Sequence, residues 1–306
     1  MKIIVPLDIA DAMLYSSTIA EPDTDETVWV SASLYSVGDE RIRTETHRRY
    51  SCIIAHTGIT TPPESDTTRW LDLGATNRWA VFDTSVSTAS TATGSMTIVL
   101  RPGFFNAIAL YKLTGAAISV TVKDAPGGSV IFSYTSDLYE PFPDFYEWLF
   151  APYKPQTKLV LSGILPYDTA EITITVTAGV SDSVGIGMIC IGDMRTLITS
   201  GEIGGTQYGA RIEPVDYSYI KTDDYGETRI VKRRSTTDLN ATVFIPREDR
   251  DYAIGLLQSI LSTQVAVIAE NSDGDSEYNV FGLVSGVVEN AGPRHAIGTI
   301  TVKGLT

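Results

Sequence analysis

The chain has 306 residues, which is enough for about two domains with cores of their own. Its 23 basic and 37 acidic side chains leave a formal net charge of −14, which argues against binding nucleic acid through the phosphate backbone. The two cysteines cannot build a disulfide framework, and with no paired cysteine spacing we expect neither a metal site nor a cofactor.

The first 26 residues predict an extended N-terminal arm that ends in the acidic linker EPDTDE. Its apolar side chains could add a strand to the sheet edge of a neighbouring subunit, or pair within their own domain; both alternatives stay open. Pro6 and Asp8 interrupt the apolar run, so we expect no signal peptide, and no apolar stretch is long enough to span a membrane. We therefore expect synthesis and folding in the cytoplasm. The apolar residues are Ile3, Ile4, Val5, Leu7, Ile9, Met13 and Leu14.

Residues 27–74 predict a small β module rich in aromatic side chains. Exposed aromatic rings stack on the C–H faces of sugars, so the module could bind glycans. Alternatively, a module this small uses its tryptophans as its core, because few other side chains bury enough area. Four arginines also make this stretch locally basic and could meet an anionic surface; they are Arg41, Arg43, Arg48 and Arg49. The candidate glycan-binding residues are Trp29, Tyr35, Arg78 and Trp79.

The residues that could carry catalysis or bind metal do not form a convincing set. His47, Cys52 and His56 lie close in sequence, but no acid that could orient a catalytic histidine is evident. We therefore expect them to be ordinary side chains on two strands of the small β module. Asp144 and Glu147 could form a glycosidase pair, but a loop packed by its own aromatic residues is the favoured interpretation. We expect no enzymatic activity.

The acidic segment NSDGDSE at 271–277 resembles a calcium-binding loop only superficially. An EF-hand loop needs glycine at its sixth position and glutamate at its twelfth. Here Gly274 is fourth and Gly282 is twelfth. We interpret the segment as an acidic hairpin tip between two strands.

From residue 96 onwards the chain is dominated by short segments rich in Val, Ile and Thr, separated by turn residues. Many short strands of this kind predict a β-sandwich or barrel. The predicted strands are 96–100, 117–122, 129–134, 158–165, 171–180, 184–192, 241–246, 264–269, 279–288 and 296–305.

Helical spacing of apolar residues predicts one main helix at 247–263, with a second short helix at 145–150. Residues 217–234 predict a hairpin in which Gly226 supplies a positive φ. The sequence thus predicts a mainly β, multi-domain fold. Its parts are the arm (1–26), the small β module (27–74), a strand-rich β-sandwich (75–193) and a C-terminal α+β domain (194–306).

The small module resembles the chitin-binding type-3 modules of chitinases, in which exposed aromatic residues bind polysaccharide. The resemblance covers about 45 residues in the pattern W…Y-x-x-G-D…Y-x-C…H-T-x…P…W. It is carried by Trp29, Tyr35, Gly38, Asp39, Tyr50, Cys52, His56, Thr57, Pro62 and Trp70.

The wider chain resembles tail and baseplate proteins of tailed bacteriophages. The motif D-A-M-L-x-S-S stands at 11–17, G-A-T-N-R-W-A-x-F-D at 74–83, and the closing strand TVKGLT at 301–306. Residues 70–191 are similar to galactose-binding-like jelly rolls, with W-L-x-L-G preceding F-N-A-I-A-L. The resemblance implies a non-enzymatic part of the virion tail that forms a homo-oligomeric ring and contacts tube, hub or fibre proteins. The alternative is a receptor protein that binds glycans on the host surface.

Overall fold

The computed structural model describes residues 1–139, 144–152, 154–199, 204–222, 225–269 and 278–305, except for the side chain of Trp148. The protein is mainly β, with 49% of residues in strands and 9% in helices, which confirms the predicted fold class. The described residues contain two α-helices, and the main one lies near the C-terminus.

The elements follow one another in a chain that crosses repeatedly between sheets. The helices are α1 (Phe145–Phe150) and α2 (Arg250–Ser259), with short 3₁₀ turns at Asp11–Met13, Pro63–Ser65 and Ala80–Phe82. The strands are β1 (Lys2–Pro6), β2 (Leu14–Ser17), β3 (Glu40–Arg43), β4 (Arg48–Cys52), β5 (Trp70–Ala75), β6 (Ser90–Thr93), β7 (Ser95–Leu100), β8 (Ala107–Tyr111), β9 (Ala117–Lys123), β10 (Val130–Asp137), β11 (Lys158–Ser162), β12 (Glu171–Thr177), β13 (Ser183–Ile186), β14 (Met188–Thr196), β15 (Gly205–Thr206), β16 (Arg211–Asp216), β17 (Tyr219–Thr222), β18 (Thr228–Val231), β19 (Ser235–Pro246), β20 (Gln264–Ile268), β21 (Asn279–Glu289) and β22 (His295–Gly304).

The largest sheet has ten strands and curls across the molecule in the order β11-β8-β14-β1-β20-β21-β22-β19-β15, with β16 also paired to β19. A five-stranded sheet, β10-β9-β12-β7-β2, packs against the β11-β8-β14 end. Alternate residues of both sheets point inward, as in β9, where Ile118, Val120 and Val122 are buried. The result is an antiparallel β-sandwich with one apolar core.

The N-terminal strand β1 lies in the middle of the ten-stranded sheet. Ile4 pairs with Met194 of β14 on one side and with Ala266 of β20 on the other. The structure therefore shows the arm paired within the chain, and with strands of two other predicted parts rather than within one domain. Because both edges of β1 are occupied, this strand cannot extend the sheet of a neighbouring subunit.

Two further cores lie on opposite faces of the sheet around β1. On one face α2 packs through Ala253, Leu256 and Leu257 against β19 to β22, and Ile3 joins this core. On the other face small side chains, including Ala107, Ala109, Cys190 and Ala266, surround Ile4.

Gly192 marks the closest approach of β14 to β1. A Cβ atom at this position would lie 1.8 Å from the carbonyl oxygen of Val5. No side chain fits that distance without moving the backbone, so only glycine allows the two strands to pair here.

All ten strands predicted from residue 96 onwards are present, although one is divided. The segment 184–192 splits at Gly187 into β13, which pairs with β6, and β14, which belongs to the ten-stranded sheet. A Cβ at Gly187 would meet the backbone oxygen of Val86 at 2.8 Å, so the chain turns between sheets at a glycine.

The main helix is shorter than predicted, running from Arg250 to Ser259 between the caps Asp249 and Ile260. Tyr252 and Leu261, which belong to the predicted apolar pattern, are exposed. The short helix and the hairpin are confirmed, and Gly226 has the predicted positive φ, +84°.

Candidate functional site

The small module uses its aromatic residues as its core. The three strands β3-β4-β5 enclose a cluster in which Trp29 is 9% exposed and Tyr35 is 2% exposed. The Tyr35 ring meets Trp70 edge-on at 5.0 Å, and its hydroxyl donates to the carbonyl oxygen of Val30 at 2.8 Å. Neither Trp29 nor Tyr35 presents an open ring face to a sugar. The alternative that these rings form the core agrees with this burial.

Trp79 lies at the junction between the module and the sandwich. It is 8% exposed and stacks on His47, with ring centroids 4.2 Å apart. His47 Nδ1 lies 2.8 Å from Glu21 Oε2, and Glu21 Oε1 accepts a hydrogen bond from Thr76 at 2.7 Å. Arg78, beside Trp79, is half-buried. This cluster joins the arm, the module and the sandwich, and it leaves the Trp79 ring largely covered.

The structure separates His47 from Cys52 and His56. Cys52 Sγ lies 3.8 Å from His56 Nδ1, which is itself 2.8 Å from the carbonyl oxygen of Ile54. Burial raises the pKa of the Cys52 thiol, which disfavours the thiolate needed for nucleophilic attack or metal binding. Among the described residues no group of three or more His, Cys, Asp or Glu side chains could hold a metal ion.

The other sequence candidates have local structural roles. Asp144 caps α1, with its Oδ1 accepting from the backbone N–H of Glu147 at 2.7 Å, and both carboxylates are exposed. The arrangement around α1 is therefore a helix cap.

Segment 271–277 lies outside the described residues, but β20 and β21 on either side of it pair antiparallel as predicted.

The arginines of the small module are each balanced by a carboxylate. Arg43 pairs with Glu64 at 3.2 Å and Arg48 with Asp72 at 2.6 Å. Arg41 lies 3.7 Å from Asp39, and Arg49 lies 2.8 Å from Glu40. This local pairing removes the excess of positive charge that the sequence indicated for an anionic partner.

A surface cleft of about 480 Å³ lies on the module beside the Arg48–Asp72 pair. Three polar atoms of its lining residues are buried without a hydrogen-bond partner among the described residues: Thr46 Oγ1, Glu64 Oε2 and Trp70 Nε1. Buried polar groups normally have a partner, so a water or a ligand hydroxyl is expected here.

One exposed apolar structure is the hairpin at 217–234, which we call the β-arm. Asp216 of β16 pairs with Ser235 of β19, and Tyr219 of β17 pairs with Val231 of β18. The arm therefore continues the large sheet outward after a bulge in which two residues oppose three. All eight residues of β17 and β18 are exposed.

Both faces of the β-arm carry apolar side chains. Ile220 and Ile230 pair directly on one face, and Tyr219 and Val231 pair on the other. Their exposed fractions are 62%, 61%, 52% and 44% respectively. The sequence predicted the hairpin but not that both of its faces are uncovered. The available signal was that each strand has apolar residues at consecutive positions, which point to opposite faces.

Helix α1 is a second exposed apolar element. Each of four of its side chains is more than half exposed, and the rings of Tyr146 and Phe150 lie 4.9 Å apart. These side chains are Phe145, Tyr146, Leu149 and Phe150.

No family model, curated protein or solved structure matches this chain. Within the described part of the chain, no helix combines the length and apolar character that crossing a membrane requires. The candidate functions are therefore argued from the chain's own residues.

Proposed function

We propose that the protein is a structural component of a bacteriophage tail tip or baseplate, located in the virion. In this role it connects the tail tube or hub to peripheral proteins such as fibres, through contacts in a homo-oligomeric ring. The phage assignment follows the resemblance at 11–17 and 74–83. The observation that supports an assembly role is the β-arm, whose two apolar faces are both uncovered.

An isolated two-stranded hairpin is at best marginally stable in water. The β-arm reaches about 20 Å beyond Asp216, taking roughly 3.3 Å per residue along β17. Burying the four apolar side chains against another molecule would stabilise the arm and remove an exposed apolar surface.

The charges favour another copy of the same chain as the partner of the β-arm. The β-arm carries five basic and three acidic side chains, a net charge of +2, whereas the whole chain has a net charge of −14. In the described residues β17 and β18 pair only with each other, so each has an open edge that can add to another sheet. A repeated contact between an arm and the next copy produces a ring when the rotation closes.

The assembly role is tested by the oligomeric state and by the position of the chain in the particle. We expect sedimentation of the purified protein to show a ring that buries more than about 1,600 Å² per contact. A variant in which a Gly-Gly turn replaces 217–234 should remain folded and monomeric. A low-resolution image of the intact particle should place the chain in the tail. A wild-type protein that stays monomeric at high concentration, and is absent from tails, would contradict the proposal.

Glycan binding remains the second candidate function, and the cleft beside Arg48 and Asp72 is the observation that favours it. Its unpartnered hydroxyl, single carboxylate oxygen and indole N–H could bind sugar hydroxyls, and its volume lies within the range of about 300–1,000 Å³ typical of ligand sites. We expect Asp72→Asn to weaken retention on a glycan array, whereas Asp25→Asn, an exposed control, should not. Equal retention of both variants would count against this site.

A further inference from the structure

A second surface cleft, of about 410 Å³, lies between the start of α2 and the turn that joins β21 to β22. Arg247 and Arg250 line it on one side, and Asn290 and His295 on the other. None of the described residues that line it has a carboxylate side chain. The described residues that line the cleft thus include two arginines and no carboxylate, whereas the whole chain has a net charge of −14.

The basic groups are held in place by their neighbours. Arg247 Nη1 donates to the carbonyl oxygen of Pro293 at 3.1 Å, and Arg250 Nη1 donates to Asn290 Oδ1 at 3.3 Å. The His295 ring stacks on Phe244, with centroids 4.8 Å apart and planes 20° apart. A ligand therefore meets donors that are already oriented, and less side-chain entropy is lost on binding.

The guanidinium groups retain donors for a ligand. Each has five N–H groups; the contacts described use one on Arg247 and two on Arg250. The second contact of Arg250 is with Asp251, at 2.9 Å, whose side chain is largely exposed and therefore screened by solvent. The positive charge facing the cleft is thus only partly offset.

We propose that this cleft binds the phosphoryl group of a phosphate monoester. The two planar guanidinium groups can both donate hydrogen bonds to the oxygens of a phosphate, and a ring nitrogen of His295 can add a further donor. The cleft is larger than one phosphate, so it has room for the group that carries it. The site is independent of the assembly role, because it lies on α2 and the β21–β22 turn rather than on the β-arm.

Isothermal titration of the full-length protein with glucose 6-phosphate tests the proposal, with inorganic phosphate and glucose as parallel probes at constant ionic strength. We expect saturable binding of glucose 6-phosphate with a Kd of about 1 mM or tighter, and none of glucose. Arg247→Gln and Arg250→Gln should each weaken it about tenfold or more. Arg211→Gln, an exposed arginine on β16, is the matched control and should bind like the wild type.

The two phosphate probes separate the possible sources of the ligand. If glucose 6-phosphate binds more tightly than inorganic phosphate, the ligand is a phosphate ester. If the two bind equally, the free phosphate ion is enough to occupy the site. Both results support a phosphoryl site. Absence of saturable binding, or equal weakening in Arg211→Gln and the cleft variants, overturns the proposal. Because Arg247 is exposed, its variant should unfold at the wild-type temperature, so loss of binding is not loss of fold.

Discussion

The double substitution Ile220→Thr and Ile230→Thr removes the apolar pair from one face of the β-arm. The two residues lie directly opposite each other on β17 and β18, and threonine keeps the β-branched shape that favours strands. The arm should therefore keep its conformation while losing the surface that we assign to contact between copies.

The size of the effect follows from exposure. Ile220 and Ile230 are 62% and 61% exposed in the single chain. Full burial of such a side chain stabilises by about 1.5–3 kcal/mol, so covering the exposed part of both contributes roughly 2–4 kcal/mol per contact. At about 1.4 kcal/mol per factor of ten, the variant should raise the dissociation constant of the oligomer roughly 30- to 1,000-fold.

Analytical ultracentrifugation over a concentration series measures this shift. Val180→Thr is the control, because Val180 is 92% exposed and lies outside the β-arm. Thermal unfolding of the isolated chain should change little in either variant, since these side chains are exposed before assembly. If the double variant and the control dissociate alike, the apolar face of the β-arm does not hold copies together.

Three further outcomes test the fold. Ile4→Ala should destabilise the protein by about 2–5 kcal/mol in urea unfolding, because the Ile4 side chain is fully buried. A smaller loss would mean that the surrounding core collapses to fill the space. His47→Ala should expose the Trp79 ring and speed proteolysis between module and sandwich, whereas His56→Ala should not affect that junction. Burial raises the pKa of Cys190 from 9.0 to about 12. Its stabilising contribution is therefore complete below pH 9 and falls between pH 9 and 12, by roughly 1 kcal/mol at pH 10. Cys190→Ser should remove that part of the pH dependence.

The local features of the fold could be predicted because they depend on neighbouring residues. Alternating Val, Ile and Thr identified the strands, as in β9, and apolar spacing identified α2. Gly226 has a positive φ because a short hairpin loop requires one. The division of the segment 184–192 at Gly187 could not be predicted, since it depends on contact with Val86 in a distant part of the chain.

The candidate sites depended much more on tertiary structure. Composition could not decide whether Trp29 and Tyr35 are binding residues or core, because both uses require the same side chains. Only the packing of β3-β4-β5 shows that their rings are covered. Arg250 and His295 stand 45 positions apart in sequence, so no spacing pattern could have brought them together.

The sequence by itself determined ten strand segments from residue 96 onwards, the two helices and the hairpin, because backbone preference and apolar periodicity act over a few residues. Tertiary structure decided that β1 joins the strands on either side of it into one sheet, which side chains face outward, and which charges meet. Those outcomes depend on pairings between residues far apart in the chain, such as Ile4 with Met194 and Ala266. Hydrophobic burial and strand pairing select such contacts only when the whole chain has folded.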